Sequence, residues 1–160
     1  RFIQGFDLNM SGDSLKILVK ERVPARLVLL RRGEESLALE LDGANMIISV
    51  NRVHRPMAPL YIIGEKDIAK GTVTPRIKRL FGFMEKVKTE YSALYREIES
   101  VNAVNGAELS LRLKGRRTRV TLAPDMVQFA RLQGLLGYLD NKGNYPALMA
   151  LCGDRVLVRQ

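Results

Sequence analysis

The stretch SLKILVKERVPARLVLL, residues 14–30, decides how the chain is divided. Leu15, Ile17 and Val19 alternate with Lys16 and Lys20, the period-two pattern of a half-buried strand. Pro24 removes a backbone donor and biases Val23 towards an extended conformation, so pairing is interrupted while the chain runs on. Leu27 to Leu30 resume a strand. A strand that stops at Glu-Arg-Val-Pro and restarts at once reads as a junction between two modules. Nothing nearby supplies a nucleophile or a metal ligand.

Downstream, Arg31, Arg32 and Gly33 predict a turn. SLALELDGANMIISV then predicts two strands around Asp42-Gly43, where the glycine accepts positive φ. HRPMAPLYIIGEKD predicts a loop with two prolines that delivers a short strand, Leu60 to Ile63, ended by Gly64. At Thr74-Pro75 the period changes. Thr74 suits an N-cap and Pro75 a first helical residue. Ile77, Leu80, Phe81, Met84, Val87 and Tyr91 form one apolar stripe, with Arg76, Lys78, Arg79, Glu85, Lys86 and Lys88 largely on the other face. The helix ends in the nineties.

EIESVNAV, AELSLRLKG and TRVTLA predict three strands, with a turn near Gly115-Arg116. A second helix after Pro124-Asp125 carries Phe129, Leu132, Leu135, Leu136 and Leu139 on its apolar face and stops at Asn141-Lys142-Gly143. PALMALCGDRVLVRQ predicts a hairpin broken at Gly153-Asp154. Hairpin-connected strands with two principal amphipathic helices argue an α+β fold with a mainly antiparallel sheet.

The 160 residues suit one domain, or one domain plus a fragment. A chain of this length buries roughly 70% of its unfolded surface and needs no metal or disulfide to fold. The absence of Trp leaves the core to Leu, Ile, Val and Met. The net charge of +9 is compatible with a polyanionic partner or with a solvated basic surface. The second is favoured, because the basic residues are spread out and no aromatics are interleaved to stack on bases. No run approaches the ~20 apolar residues of a membrane span. No signal peptide is present, and a start at Arg1 rather than Met leaves room for a longer protein upstream.

Catalytic chemistry finds few candidates. His54 is the single histidine, and NRVHRPM reads as a loop around it. The single cysteine, Cys152, stands among apolar neighbours, where a thiol packs as a small hydrophobe. Glu34-Glu35 and Glu97/Glu99 read as turn and solvated-strand positions, and no phosphate-binding glycine loop occurs. No catalytic residue, metal ligand or cofactor site is expected. RLKGRRTRV, starting at residue 112, reads either as a phosphate-binding hairpin tip or, preferably, as a turn whose cations protect exposed strand positions. In the last strand Val156 and Val158 point one way, and Arg155, Leu157 and Arg159 the other. At a sheet edge it would accept an added strand, but whether it is edge or central stays open.

The order of these elements resembles the FtsQ/DivIB family of bacterial cell-division proteins. In that family the last strand of a POTRA module reads approximately P-x-T-L-x-I-x-V-x-E-R-x-P before a β domain begins. Ser14, Leu15, Ile17, Val19, Glu21, Arg22 and Pro24 occupy that pattern. ELDGANMIISV and APLYIIGEKD are similar to two further family segments, and RVTLAPD and GDRVLVR complete a likeness over about residues 9 to 160. MALC at Met149 to Cys152 stands where the family often has Asp-Leu-Arg.

The resemblance implies residues 1–23 as the end of a POTRA-like module with the junction strand, and 24–160 as a curved-sheet β domain. It implies a non-enzymatic scaffold, anchored by an upstream transmembrane helix in the inner membrane, with this portion periplasmic. Its partners would be membrane-anchored coiled-coil divisome proteins of the FtsB/FtsL type, and not nucleic acid. Carried over, the contact falls on Gly153, Asp154, Arg155, Val156, Leu157, Val158 and Arg159. Alternative expectations are a basic nucleic-acid-binding module, or an envelope assembly or secretion protein with a POTRA-like module.

Overall fold

A computed structural model describes residues 3–159. The chain is mixed α+β, with most of its strands in one large sheet. Strands β1 (Ile3–Ser11) and β2 (Ser14–Glu21) form a separate antiparallel hairpin. The sequence gives β1 no strong pattern, and its pairing was not anticipated. The hairpin is amphipathic: Phe6 faces Val19, Leu8 faces Ile17 and Met10 faces Leu15 on one side, while Asn9 and Lys16 pair on the other. All six apolar side chains are exposed.

Nine strands form the main sheet. They are β3 (Pro24–Arg32), β4 (Glu35–Asp42), β5 (Ile47–Val50), β6 (Leu60–Gly64), β9 (Ile98–Asn102), β10 (Leu109–Leu113), β11 (Arg119–Leu122), β12 (Leu148–Cys152) and β13 (Arg155–Arg159). Their spatial order is β13-β12-β11-β10-β9-β6-β3-β4-β5. β7 (Ile68–Ala69) and β8 (Thr72–Val73) make a small hairpin of their own. Five pairings in the main sheet are antiparallel. Three, β3–β6, β6–β9 and β11–β12, are parallel.

The parallel pairs come from crossovers that hairpin signals do not reveal. Between β6 and β9 run helices α1 (Pro75–Glu90) and α2 (Ser92–Glu97), and between β11 and β12 runs α3 (Met126–Lys142). α1 stops where expected, but Tyr91 merely interrupts it and α2 takes Glu97 from the predicted strand.

One face of the sheet is buried under the helices. Direct register partners share a face, so a single row can be followed across all nine strands: Val50, Leu39, Val28, Tyr61, Val101, Leu111, Val120, Met149, Val158. The seven inner residues are buried, and the valines at the two ends are exposed. Ile77, Phe81, Met84 and Val87 of α1 and Phe129, Leu132 and Leu136 of α3 complete the core. Phe81 meets Tyr61 edge-on with ring centroids 4.8 Å apart. The expected stripes bury at most positions, with Tyr91, Leu135 and Leu139 only half-buried, and Phe83 joins them, packing edge-on to Phe129 at 5.5 Å.

Local chemistry refines several turns. β3 runs through Arg31 and Arg32, and the turn falls on Gly33-Glu34, with Gly33 at φ 58°. At the next turn Asn45 supplies the left-handed residue (φ 65°), not Gly43. Asp42 builds that turn by accepting from the amides of Ala44 and Met46, each at 2.9 Å. It also pairs with Arg22, which lies between β2 and β3 and so ties the junction to the β4–β5 turn. Thr74 is the N-cap residue of α1, but its side chain makes no capping bond and its buried Oγ1 has no partner among the described residues. Asp125 does cap α3, accepting from Val127 N at 3.1 Å, and Gly143 (φ 65°) closes it.

Asp67 holds the start of α1. It is buried, accepts from Gly64 N at 3.0 Å, and takes a two-pronged pair from Arg76 at 3.0 and 2.7 Å. Removing the buried Asp67 leaves Gly64 N without its acceptor and the half-buried Arg76 without its carboxylate. Asp67→Ala is expected to lower unfolding free energy by about 2 kcal/mol in urea denaturation, whereas the exposed Lys86→Ala should stay within about 0.5 kcal/mol. Equal effects would contradict this placement.

Candidate functional site: an open sheet edge

β13 is one edge of the nine-stranded sheet, which resolves what its pattern left open. All five of its residues are exposed; Val156, Leu157 and Val158 are at 42%, 61% and 63%. Val156 pairs with Leu151 and Val158 with Met149, so both valines continue buried core rows beyond the last covered strand. Leu157 stands opposite Ala150 on the outer face, flanked in sequence by two exposed arginine-bearing register positions, Arg155 opposite Cys152 and Arg159 opposite Leu148. Among the described residues no ion pair involves Arg155 or Arg159.

The turn into β13 is anchored. Gly153 sits at φ 59°, and its carbonyl accepts from Gln128 Nε2 at 3.0 Å and from Arg131 of α3. Gly153 thus positions the strand, and its main-chain acceptor is spent inside the chain. Cys152 corrects an expectation: it is exposed at the end of β12, not packed in the core, because the apolar neighbours Met149 and Leu151 take the buried face and leave it on the outer one.

The other edge differs. β5 has only four residues; Ile47 N donates to Gly71 O at 2.9 Å and Met46 bridges to Thr72, so the β7–β8 hairpin covers part of it. Short or covered edges resist strand addition, and a longer uncovered apolar one invites it.

The basic cluster is largely paired within the molecule. Arg112 meets Glu99 at 3.4 Å, and Lys114 donates to Arg96 O at 2.7 Å. Arg116 bridges Glu97 (2.8 Å) and Asp140 (2.9 Å) and lies over the Tyr145 ring at 4.8 Å. These contacts match the turn reading better than a phosphate-binding tip.

The buried carboxylates were not recognised from sequence. Glu40 is 1% exposed. It accepts from the backbone of His54 at 2.6 Å and of Arg55 at 3.2 Å, while Ser49 Oγ donates at 3.0 Å and His54 Nδ1 lies 2.6 Å away. His54 is a loop residue as expected, but the loop is folded back onto Glu40. Burial opposes the Glu40 charge, yet the bonds from His54, Arg55 and Ser49 outweigh it and hold the carboxyl below its ordinary value. Asp42 is lowered in the same way, by Met46, Arg22 and Ala44 against burial.

Among the described residues no three His, Cys, Asp or Glu side chains gather as a metal site, and no helix is long and apolar enough to cross a membrane. No protein-family model matches the chain, and comparison with curated proteins finds no significant match.

A carboxyl whose folded pKa is depressed adds stability that is complete above its unfolded value and is lost as pH falls through the folded one. The loss from Glu40 should therefore begin below its unperturbed 4.5. Chemical denaturation from pH 6 to pH 3 should give Glu40→Gln a shallower acid-side decline than the parent chain. Parallel curves would rule out this assignment.

Proposed function

We propose that this chain is the extracytoplasmic portion of an FtsQ/DivIB-type division scaffold, non-enzymatic, with a β domain over residues 24–160 and the end of a POTRA-like module with the junction strand over 1–23. The full protein would be held in the inner membrane by an upstream segment, with this part in the periplasm. Its partners would be membrane-anchored coiled-coil divisome proteins of the FtsB/FtsL type, each contributing a strand alongside β13.

The observation that carries the reading is the uncovered edge of β13, with its three exposed apolar residues between Arg155 and Arg159. A partner strand there would satisfy free main-chain groups and cover Val156 and Val158. Its carboxylates could pair with the two arginines, as charge complementarity across an interface favours. The alternation of β2 and the Arg22-Val23 break before Pro24 agree with a module boundary. A nucleic-acid reading draws less support, because Arg112, Lys114 and Arg116 already have partners inside the chain.

Leu157→Asp and the double change Arg155→Glu/Arg159→Glu should each weaken capture of an FtsB/FtsL-type extracytoplasmic segment by about tenfold or more. Their melting temperatures should stay close to the parent, since these side chains are exposed. In dividing cells, the full protein fused to a fluorophore that matures outside the cytoplasm should form a midcell band that the variants weaken. Undiminished capture by both variants, or fluorescence over the nucleoid from a fluorophore active in either compartment, would overturn the reading.

A further inference from the structure

A cleft of about 240 Å³ opens beside the first two turns of α1, away from β13 in its lining. One helical stripe, Arg76, Arg79, Leu80 and Phe83, forms one wall, and Leu109 and Pro124 stand across it. The two arginines differ. Arg76 is held by Asp67 and also donates to Ala103 O at 2.9 Å and to Gly106 O at 3.3 Å. Arg79 is exposed and meets no carboxylate among the described residues.

An adjoining, more open cleft of about 430 Å³ shares Arg76, Arg79 and Gly106 and adds Lys66 and Thr74. Thr74 Oγ1 is buried there with no partner among the described residues, and the first turn of α1 has no acidic residue. Arg76, Arg79 and Lys66 against Asp67 leave a local charge of +2 (three cations, one carboxylate) around an apolar floor.

We infer that this cleft is a second docking site, for an acidic peptide segment that inserts one large apolar side chain between Phe83 and Leu109 and sets a neighbouring carboxylate on Arg79. The two unpaired cations are fewer than the cluster of about 4–8 that holds a protein to an anionic membrane. Phe83 is the one aromatic side chain lining the cleft, so no row of rings is offered to stack successive bases. Charge complementarity therefore favours a peptide carboxylate. The site does not depend on the function proposed for β13.

The test is an amide-shift NMR titration of the whole ¹⁵N-labelled chain with the capped peptide Ac-Gly-Glu-Leu-Asp-Gly-NH2. Its counterpart with Gln and Asn in place of the acids serves as the control. Shifts are expected at 76–83 and 103–109, with a response to the acidic peptide only. Arg79→Glu should weaken apparent affinity about tenfold or more, and Arg79→Lys should restore most of it. Arg155→Glu/Arg159→Glu should leave it unchanged, which separates this site from the β13 edge. No shift at millimolar peptide, shifts confined to β13, or equal response to the neutral peptide would overturn the inference. Co-sedimentation with phosphatidylglycerol vesicles that depends on Arg79, without peptide shifts, would reassign the cleft to a lipid headgroup and overturn it too.

Discussion

The structure depends on how far its helices reach across its sheet. α1 and α3 bury one face of the sheet, and burial fades towards the two edge strands. In the row from Val50 to Val158 the inner positions are fully enclosed while the terminal valines stay in water. Each fully buried aliphatic side chain in such a row contributes roughly 1.5–3 kcal/mol, so the interior fixes the strand order firmly. The outermost strands gain little from it. β5 is relieved in part by the β7–β8 hairpin, and β13 is left with one neighbour. An open edge is thus a consequence of layer geometry, and it leaves Val156, Leu157 and Val158 exposed.

Buried carboxylates set the details that hydrophobic rows cannot. Asp67 fixes the entry to α1, Asp42 shapes the β4–β5 turn and takes Arg22 from the junction, and Glu40 draws the loop around His54 onto the sheet. All three work as local acceptors for backbone amides with one cationic or imidazole partner. This explains why they can be enclosed at all. Asp67, by holding Arg76, also ties the start of α1 to the 103–108 loop, through the bonds of Arg76 to Ala103 and Gly106.

Much of this is legible locally. The stripe from Ile77 to Val87, the stop at Gly143, the two-residue turn at Gly153-Asp154 and the break before Pro24 all follow from periodicity and turn chemistry. What was not legible is non-local. Glu40 and Asp42 sit in SLALELD, which reads simply as strand running into a turn, and the partners that make their burial possible, the 51–55 loop and Arg22, lie elsewhere in the chain. The three parallel pairings depend on which strand lies beside which, a fact that no turn signal carries. β13 could be read as a strand with an apolar centre, but its edge position came from the order of strands chosen far away. Cys152 shows the same limit: apolar neighbours do not say which face of a strand is covered.

The proposed function requires β13 to pair with an incoming strand. Hydrogen–deuterium exchange of the whole chain, alone and with the extracytoplasmic segment of an FtsB/FtsL-type protein, tests that directly. Amides within Arg155–Arg159 should exchange quickly in the free chain and become protected in the complex, with little change at β5. A stable complex in which 155–159 remain unprotected while protection appears elsewhere would contradict it.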